Sequence, residues 1–201
     1  MKNQKTLKLC EFAVLVAIEI VMSLTPLGFL NLGFLSASLL TIPVAVGAIL
    51  LGPLASTLLG LVFGAISFIK GFSSTTLMTA AMYAASIPGA FVVAVVGRVL
   101  MGLCTGLLVK ASQKIRKKGI LDNLVGSLAA PLLNTAFFMG LLMLIFYHSD
   151  FIQGLIAETG ISNPFLLIGF MVGTQALIEA ASCCVISTAV SKTLQATLHR
   201  E

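Results

Sequence analysis

The sequence predicts an all-α integral membrane protein of six transmembrane helices with both termini cytoplasmic, and three observations predict it. Hydrophobic residues make up 58% of the chain and charged residues only 9%, with a mean hydropathy of +1.09, whereas a soluble domain carries about a quarter charged residues. At about 20 residues per spanning helix, the 201 residues hold six spans and short connections as one domain, residues 1–201. The cations are also one-sided. Of the 12 Lys and Arg, removing Lys70 and Arg98 leaves ten that flank predicted spans on one side, and such residues collect in cytoplasmic loops. The net charge of +5 therefore reports orientation in a lipid bilayer, with no nucleic-acid partner implied.

The first span covers residues 7–24, with Lys2, Lys5 and Lys8 before it. Its basic start resembles a signal peptide, but no small-residue cleavage site ends the apolar run, so it reads as a retained span. Residues 25–38 are apolar yet rich in Gly and Pro, too short to span and too broken for a good helix. They read as a loop folded into the outer face, carrying Asn31. A short second helix, 39–51, turns at Gly52-Pro53 into a third, 54–69. Lys70 and the polar stretch 71–76 follow on the outside. Residues 77–88 fit a loop, a re-entrant segment or the first turns of the fourth helix. That helix descends to the basic run Lys110, Lys114, Arg116, Lys117 and Lys118, which fixes the cytoplasmic side. A fifth helix, 121–147, carries Pro131 and Asn134 in its interior. An acidic, polar outer loop over 148–163 holds Asp150 and Glu158, and a sixth helix runs over 164–190.

Polar residues inside apolar helices are the candidate functional groups, because a charge at mid-membrane costs about 3 kcal/mol on insertion scales. Arg98 lies twelve positions before Lys110, which at about 1.5 Å per residue puts it about 18 Å along the helix, near the middle of the hydrocarbon. Glu179, counted from the other end, falls at an overlapping depth. Two readings of Arg98 stand: a structural pair with Glu179, or a direct ligand contact. Asn134 and Gln175 lie a turn nearer the outer face, where each fits a helix-to-helix hydrogen bond or a ligand contact. Glu19, near the outer end of the first span, reads as solvated. Pairs of small residues four apart, Ala13/Ala17, Gly60/Gly64, Gly102/Gly106 and Gly169/Gly173, put flat spots on single helix faces where backbones can approach.

No enzyme constellation emerges. His148 and His199 lie in an outer loop and the tail, so no histidine metal cluster forms in the membrane, and Ser67 has no intramembrane histidine to activate it. There is no phosphate-binding Gly-rich loop followed by Lys-Ser/Thr, and Cys10, Cys104, Cys183 and Cys184 lack metal-ligand spacing. The sequence implies no cofactor, no metal and no catalytic residue.

The stretch LSASLLTIPVAVGAILLGPLASTLLGLVFGAISFIK, the segments RVLMGL and PLLNTAFF, and Glu179 together resemble the substrate-binding S component of an energy-coupling factor (ECF) vitamin transporter. The resemblance covers most of the chain. It implies six helices with both ends cytoplasmic and a vitamin site toward the outer face, lined by helices four to six and covered by residues 25–38 and 70–76. It implies an Ala-x-x-x-Ala docking face for a transmembrane coupling subunit, matched by Ala13 and Ala17, and two cytoplasmic ATPases as further partners in an ABC importer. The S component is then a carrier subunit that binds its vitamin outside and tilts in the bacterial cell membrane to deliver it. The candidate substrate-binding residues are Asn31, Lys70, Arg98, Asn134, Gln175 and Glu179. The chain lacks Trp, on which thiamine and biotin readers of the family stack rings, and its pattern is nearest the pantothenate type. Cobalamin, folate, riboflavin and pyridoxine-like substrates are the alternatives, as is a free-standing small-molecule carrier.

Overall fold

Apolar stretches divided by Gly-Pro turns and short polar breaks fold into helices at each of the six expected places. The computed structural model describes residues 4–25, 28–31, 36–73, 76–115, 120–161 and 163–197. Helix α1 is Gln4–Leu24, and the strands β1, Phe29–Asn31, and β2, Ser36–Ser38, follow it. They pair antiparallel with Phe29 opposite Ser38, so the predicted outer loop is in part a small hairpin. Helix α2 is Thr41–Leu50 and α3 is Pro53–Gly71. Between them Gly52 adopts φ +93°, a backbone conformation open to glycine and strained for residues with a Cβ.

Residues 77–88 resolve as a separate helix α4, Leu77–Ala85, and the start of α5, Ile87–Phe91. Ser86 divides them, and its hydroxyl caps the second by accepting from the Gly89 amide. A π-helical turn, Val92–Val96, then leads into α6, Gly97–Ile115. Helix α7 is Ile120–Phe146, α8 is Asp150–Thr159 and α9 is Pro164–Thr197. The α8 helix corrects the expectation of an outer loop over 148–163. Within that acidic, polar connection Ser149 caps the start of the helix and Gly160, at φ +69°, ends it.

Helices α3, α5–α6 and α7, together with α9 over Ala176–Thr197, are long and apolar enough to cross a membrane. Counting α8 and the start of α9, bent by 83°, as a broken span gives up to five. Helix α1 falls outside this set because Lys8, Glu11 and Glu19 fall within every 18-residue stretch of it. Helix α2, with 10 residues, reaches only about 15 Å, half of a hydrocarbon core. It does not need to meet lipid: Thr41 to Ile49 are all buried, and α2 packs against α1, α3, α6, α7 and α9. The molecule is a multi-pass membrane protein built around this short central helix.

Between membrane helices, close backbone packing and hydrogen bonds replace the hydrophobic driving force. The α3–α6 contact is the most extensive in the bundle and uses two of the predicted small-residue pairs. A Cβ at Gly60 would strike the Arg98 carbonyl, one at Gly64 would lie 2.8 Å from the Val95 Cα, and those at Gly102 and Gly106 would strike the Ser56 carbonyl and Pro53. The Ser56 hydroxyl donates to the Gly102 carbonyl at 2.8 Å, adding a hydrogen bond to the contact. Gly169 and Gly173 meet nothing within 4 Å.

Candidate functional site

Buried polar groups from four parts of the chain converge where the hairpin meets the bundle. Strand β2 lies against α9 and leads directly into α2. This brings Ser38 and Thr41 beside Glu179 of α9 and Asn134 of α7. All are nearly inaccessible: Ser38 5%, Thr41 0%, Asn134 8%, Glu179 2%. The Asn134 amide Nδ2 donates to Glu179 Oε1 at 3.3 Å, and the Thr41 hydroxyl donates to the Ser38 carbonyl at 3.2 Å. The Ser38 amide and the Thr41 hydroxyl also act on the Glu179 carboxylate. The carboxylate thus faces the N-terminal end of α2, where exposed N–H groups favour negative charge.

Arg98 approaches from α6, just past the π turn. Its guanidinium carbon lies 5.0 Å from the centroid of the Phe63 ring and 4.7 Å from that of Phe138, positions that favour a cation over an aromatic face. Nη1 donates to the carbonyls of Val93 and Ala94 at 3.2 Å each. A π turn loosens the regular i to i−4 pattern, and here the guanidinium uses the carbonyls beside that irregularity. Arg98 and Glu179 act on one another electrostatically, but among the described residues no hydrogen bond or ion pair joins them. Among the described residues of this cluster, Arg98 Nε and Ser38 Oγ have no hydrogen-bond partner. A buried group left so costs about 1–3 kcal/mol.

The remaining sequence candidates fall elsewhere. Lys70 ends α3, and its ammonium donates to the Ser23 carbonyl in the last turn of α1, where a cation complements the helix dipole. Asn31 lies in β1, opposite Ser36, and Gln175 lies in α9; the side chains of both are outside the described residues. So are Arg116, Lys117 and Lys118 of the basic run. Ala13 and Ala17 are exposed on α1, away from the inward row Leu15, Glu19 and Ser23. Glu19 corrects the expectation of solvation: it is 0% exposed and both carboxylate oxygens lack a partner, because the helix turns it toward the neighbouring helices.

Ser38, Thr41, Phe63 and Phe138 escaped the sequence reading. The one signal for the first two was a pair of hydroxyl residues three apart, bracketing Leu39-Leu40, a spacing that favours local side-chain to backbone bonds. A half-open cleft of about 270 Å³ lies nearby, lined by Gly71, Phe72, Ala80, Tyr83 and Ile87. It does not coincide with the polar cluster, whose residues are absent from its lining. Its Tyr83 hydroxyl already donates to the Phe68 carbonyl at 2.6 Å, whereas Arg98 Nε and Ser38 Oγ of the polar cluster have no partner. Among the described residues no group of three His, Cys, Asp or Glu could hold a metal ion.

A comparison with curated proteins finds no match. The family model described as ECF transporter, substrate-specific component, matches residues 7–191, which takes in all of the polar cluster and both faces of α1. The chain therefore belongs to the ECF transporter substrate-specific component family and is a membrane transport subunit.

Proposed function

We propose that this chain captures a small polar B vitamin, pantothenate in the first instance, at the cluster of Ser38, Thr41, Arg98, Asn134 and Glu179. Asn31, Gln175 and Lys70 belong to the same outer region of the proposed site. The observation that carries the reading is the pair of unpartnered groups, Arg98 Nε and Ser38 Oγ, buried beside a carboxylate and an amide. Arg98 Nε–H suits an anionic or carbonyl oxygen, while Ser38, Asn134 and Glu179 suit hydroxyl and amide groups. Pantothenate, an acyclic carboxylate with hydroxyls and an amide, offers this complement. Arg98 and Glu179 also balance one another's charge across the site.

In this account the chain spans the bacterial cell membrane six times with both termini inside, and its exposed Ala13/Ala17 face docks on a transmembrane coupling subunit that carries two ATPases. Hydrolysis drives tilting of the subunit and inward release. Co-expression tests it: uptake of labelled pantothenate into proteoliposomes should require all the partners and ATP. Uptake by the chain alone would establish the alternative, a free-standing carrier. Uptake of a different vitamin with the partners present would replace pantothenate and keep the rest.

A further inference from the structure

The contact between α7 and α9 changes character along its length. Toward the end bearing α4 and α8 its described residues are apolar, with Met139, Leu142 and Phe146 of α7 in one cluster with Leu167 and Val172 of α9. From Glu179 toward the opposite end, α9 turns a polar residue inward every four positions: Glu179, Cys183, Ser187 and Ser191, at 2%, 0%, 0% and 0% exposure. Facing helix α7 supplies Asn134, Ser127 and Asn123, all buried. The links are hydrogen bonds. Cys183 Sγ and Ser187 Oγ are 3.3 Å apart, Thr188 donates to Ser127 at 3.1 Å, and Asn123 and Gln195 exchange bonds of 3.1 and 3.2 Å. Beside that last pair, Asp122 accepts from Ser112 at 2.5 Å. Ser191, between Ser187 and Gln195, has no partner for its hydroxyl.

We propose that this seam is a hydrated proton path joining Glu179 to the end of the bundle that carries Lys110, Lys114 and Lys192. Successive groups on α9 are about 6 Å apart along the axis, a gap that one water bridges when it finds polar partners on both sides. Interhelical bonds alone would account for the paired residues but not for a fully buried, unpartnered hydroxyl within the row. The step is a simple exchange: a proton from water at the lysine end passes by way of the Asp122 region and the hydroxyls to a Glu179 oxygen, and returns the same way. Among the described residues the other half of the seam is apolar and offers no matching row of polar groups between these two helices. The charged and titratable groups facing Glu179 are Arg98 from α6 and Cys183 on its own helix; α7, α2 and β2 present the neutral Asn134, Thr41 and Ser38. Neutralising Glu179 would remove the charge that Arg98 faces and alter what the cluster holds. That consequence rests on the substrate site proposed above, whereas the path does not.

The test uses the full chain in oriented proteoliposomes, with infrared detection of the protonated carboxyl band that Glu179→Gln abolishes. An acid jump on the lysine-end side should raise the band promptly, and the same jump on the other side should not. Ser191→Ala breaks no hydrogen bond and so should fold normally, yet should slow the rise about tenfold, equivalent to about 1.4 kcal/mol on the barrier. Ser191→Thr, which restores a hydroxyl, should recover it. Equal responses from both sides, no Glu179 band at any pH, or a wild-type rate in Ser191→Ala would overturn the path. Separately, wild-type vitamin affinity in Glu179→Gln would remove its link to substrate while leaving the path standing.

Discussion

Ser38 and Asn134 separate binding from folding at the scale of single residues. The Ser38 hydroxyl has no partner, so Ser38→Ala removes no hydrogen bond from the free protein and should leave thermal unfolding unchanged. If that hydroxyl meets the ligand, the same change weakens binding about tenfold, the worth of one good buried hydrogen bond. Asn134→Ala should weaken binding similarly and also lower Tm, because it leaves the Glu179 carboxylate without its amide donor. Titration and thermal melts of both variants in detergent check the contrast, and equal melts with wild-type affinities would remove Ser38 and Asn134 from the site. Glu19 offers the opposite case. Its carboxylate is enclosed and unpartnered, so Glu19→Leu, similar in size and apolar, should stabilise the protein by about 1–3 kcal/mol. A lowered Tm would mean that Glu19 has a partner during folding or in the membrane.

Two helix faces with the same small-residue spacing behave differently at the scale of elements. Gly60 and Gly102 lie where α3 and α6 touch backbone to backbone. Gly60→Val or Gly102→Val should therefore cost about 1–3 kcal/mol or more by overpacking. Gly169→Ala, where a Cβ meets nothing within 4 Å, should be neutral or better. Tm values across these three variants test the distinction, and a neutral Gly60→Val would contradict the packing described. Helix α1 presents the fourth small pair, Ala13 and Ala17, outward. Leu at both Ala13 and Ala17 should abolish ATP-driven uptake while leaving vitamin binding to the isolated chain intact. Retained uptake in that double variant would place the coupling face elsewhere.

At the scale of the whole molecule, hydropathy and turn residues located the helices, because an apolar run of given length and a Gly-Pro break are local properties. Depth was legible too. Counting from helix ends put Arg98 and Glu179 at one level, and the structure brings them within electrostatic reach. Which way each side chain turns was not legible. The guanidinium bonds to its own helix because a π turn places Val93 and Ala94 carbonyls beside it, and nothing in residues 92–96 announces that irregularity. Glu19 was misjudged for a related reason: its distance from the helix end was right, but its facing depends on where α2 and α3 pack. Ser38 and Thr41 join the cluster through the contact of β2 with α9, about 140 residues on in sequence, which no local pattern encodes. The connection over 148–163 reads as an acidic, polar loop, although the Ser149 and Gly160 caps of α8 stand in the sequence.

Mass spectrometry of small molecules retained by the purified chain asks whether the buried cluster beneath the hairpin holds the transported vitamin. The wild-type chain should carry a polar, vitamin-sized molecule, pantothenate, which Ser38→Ala and Asn134→Ala should lose and Lys110→Ala, at the lysine end, should keep. Retention of the same molecule at wild-type level by both cluster variants would place the vitamin outside this cluster.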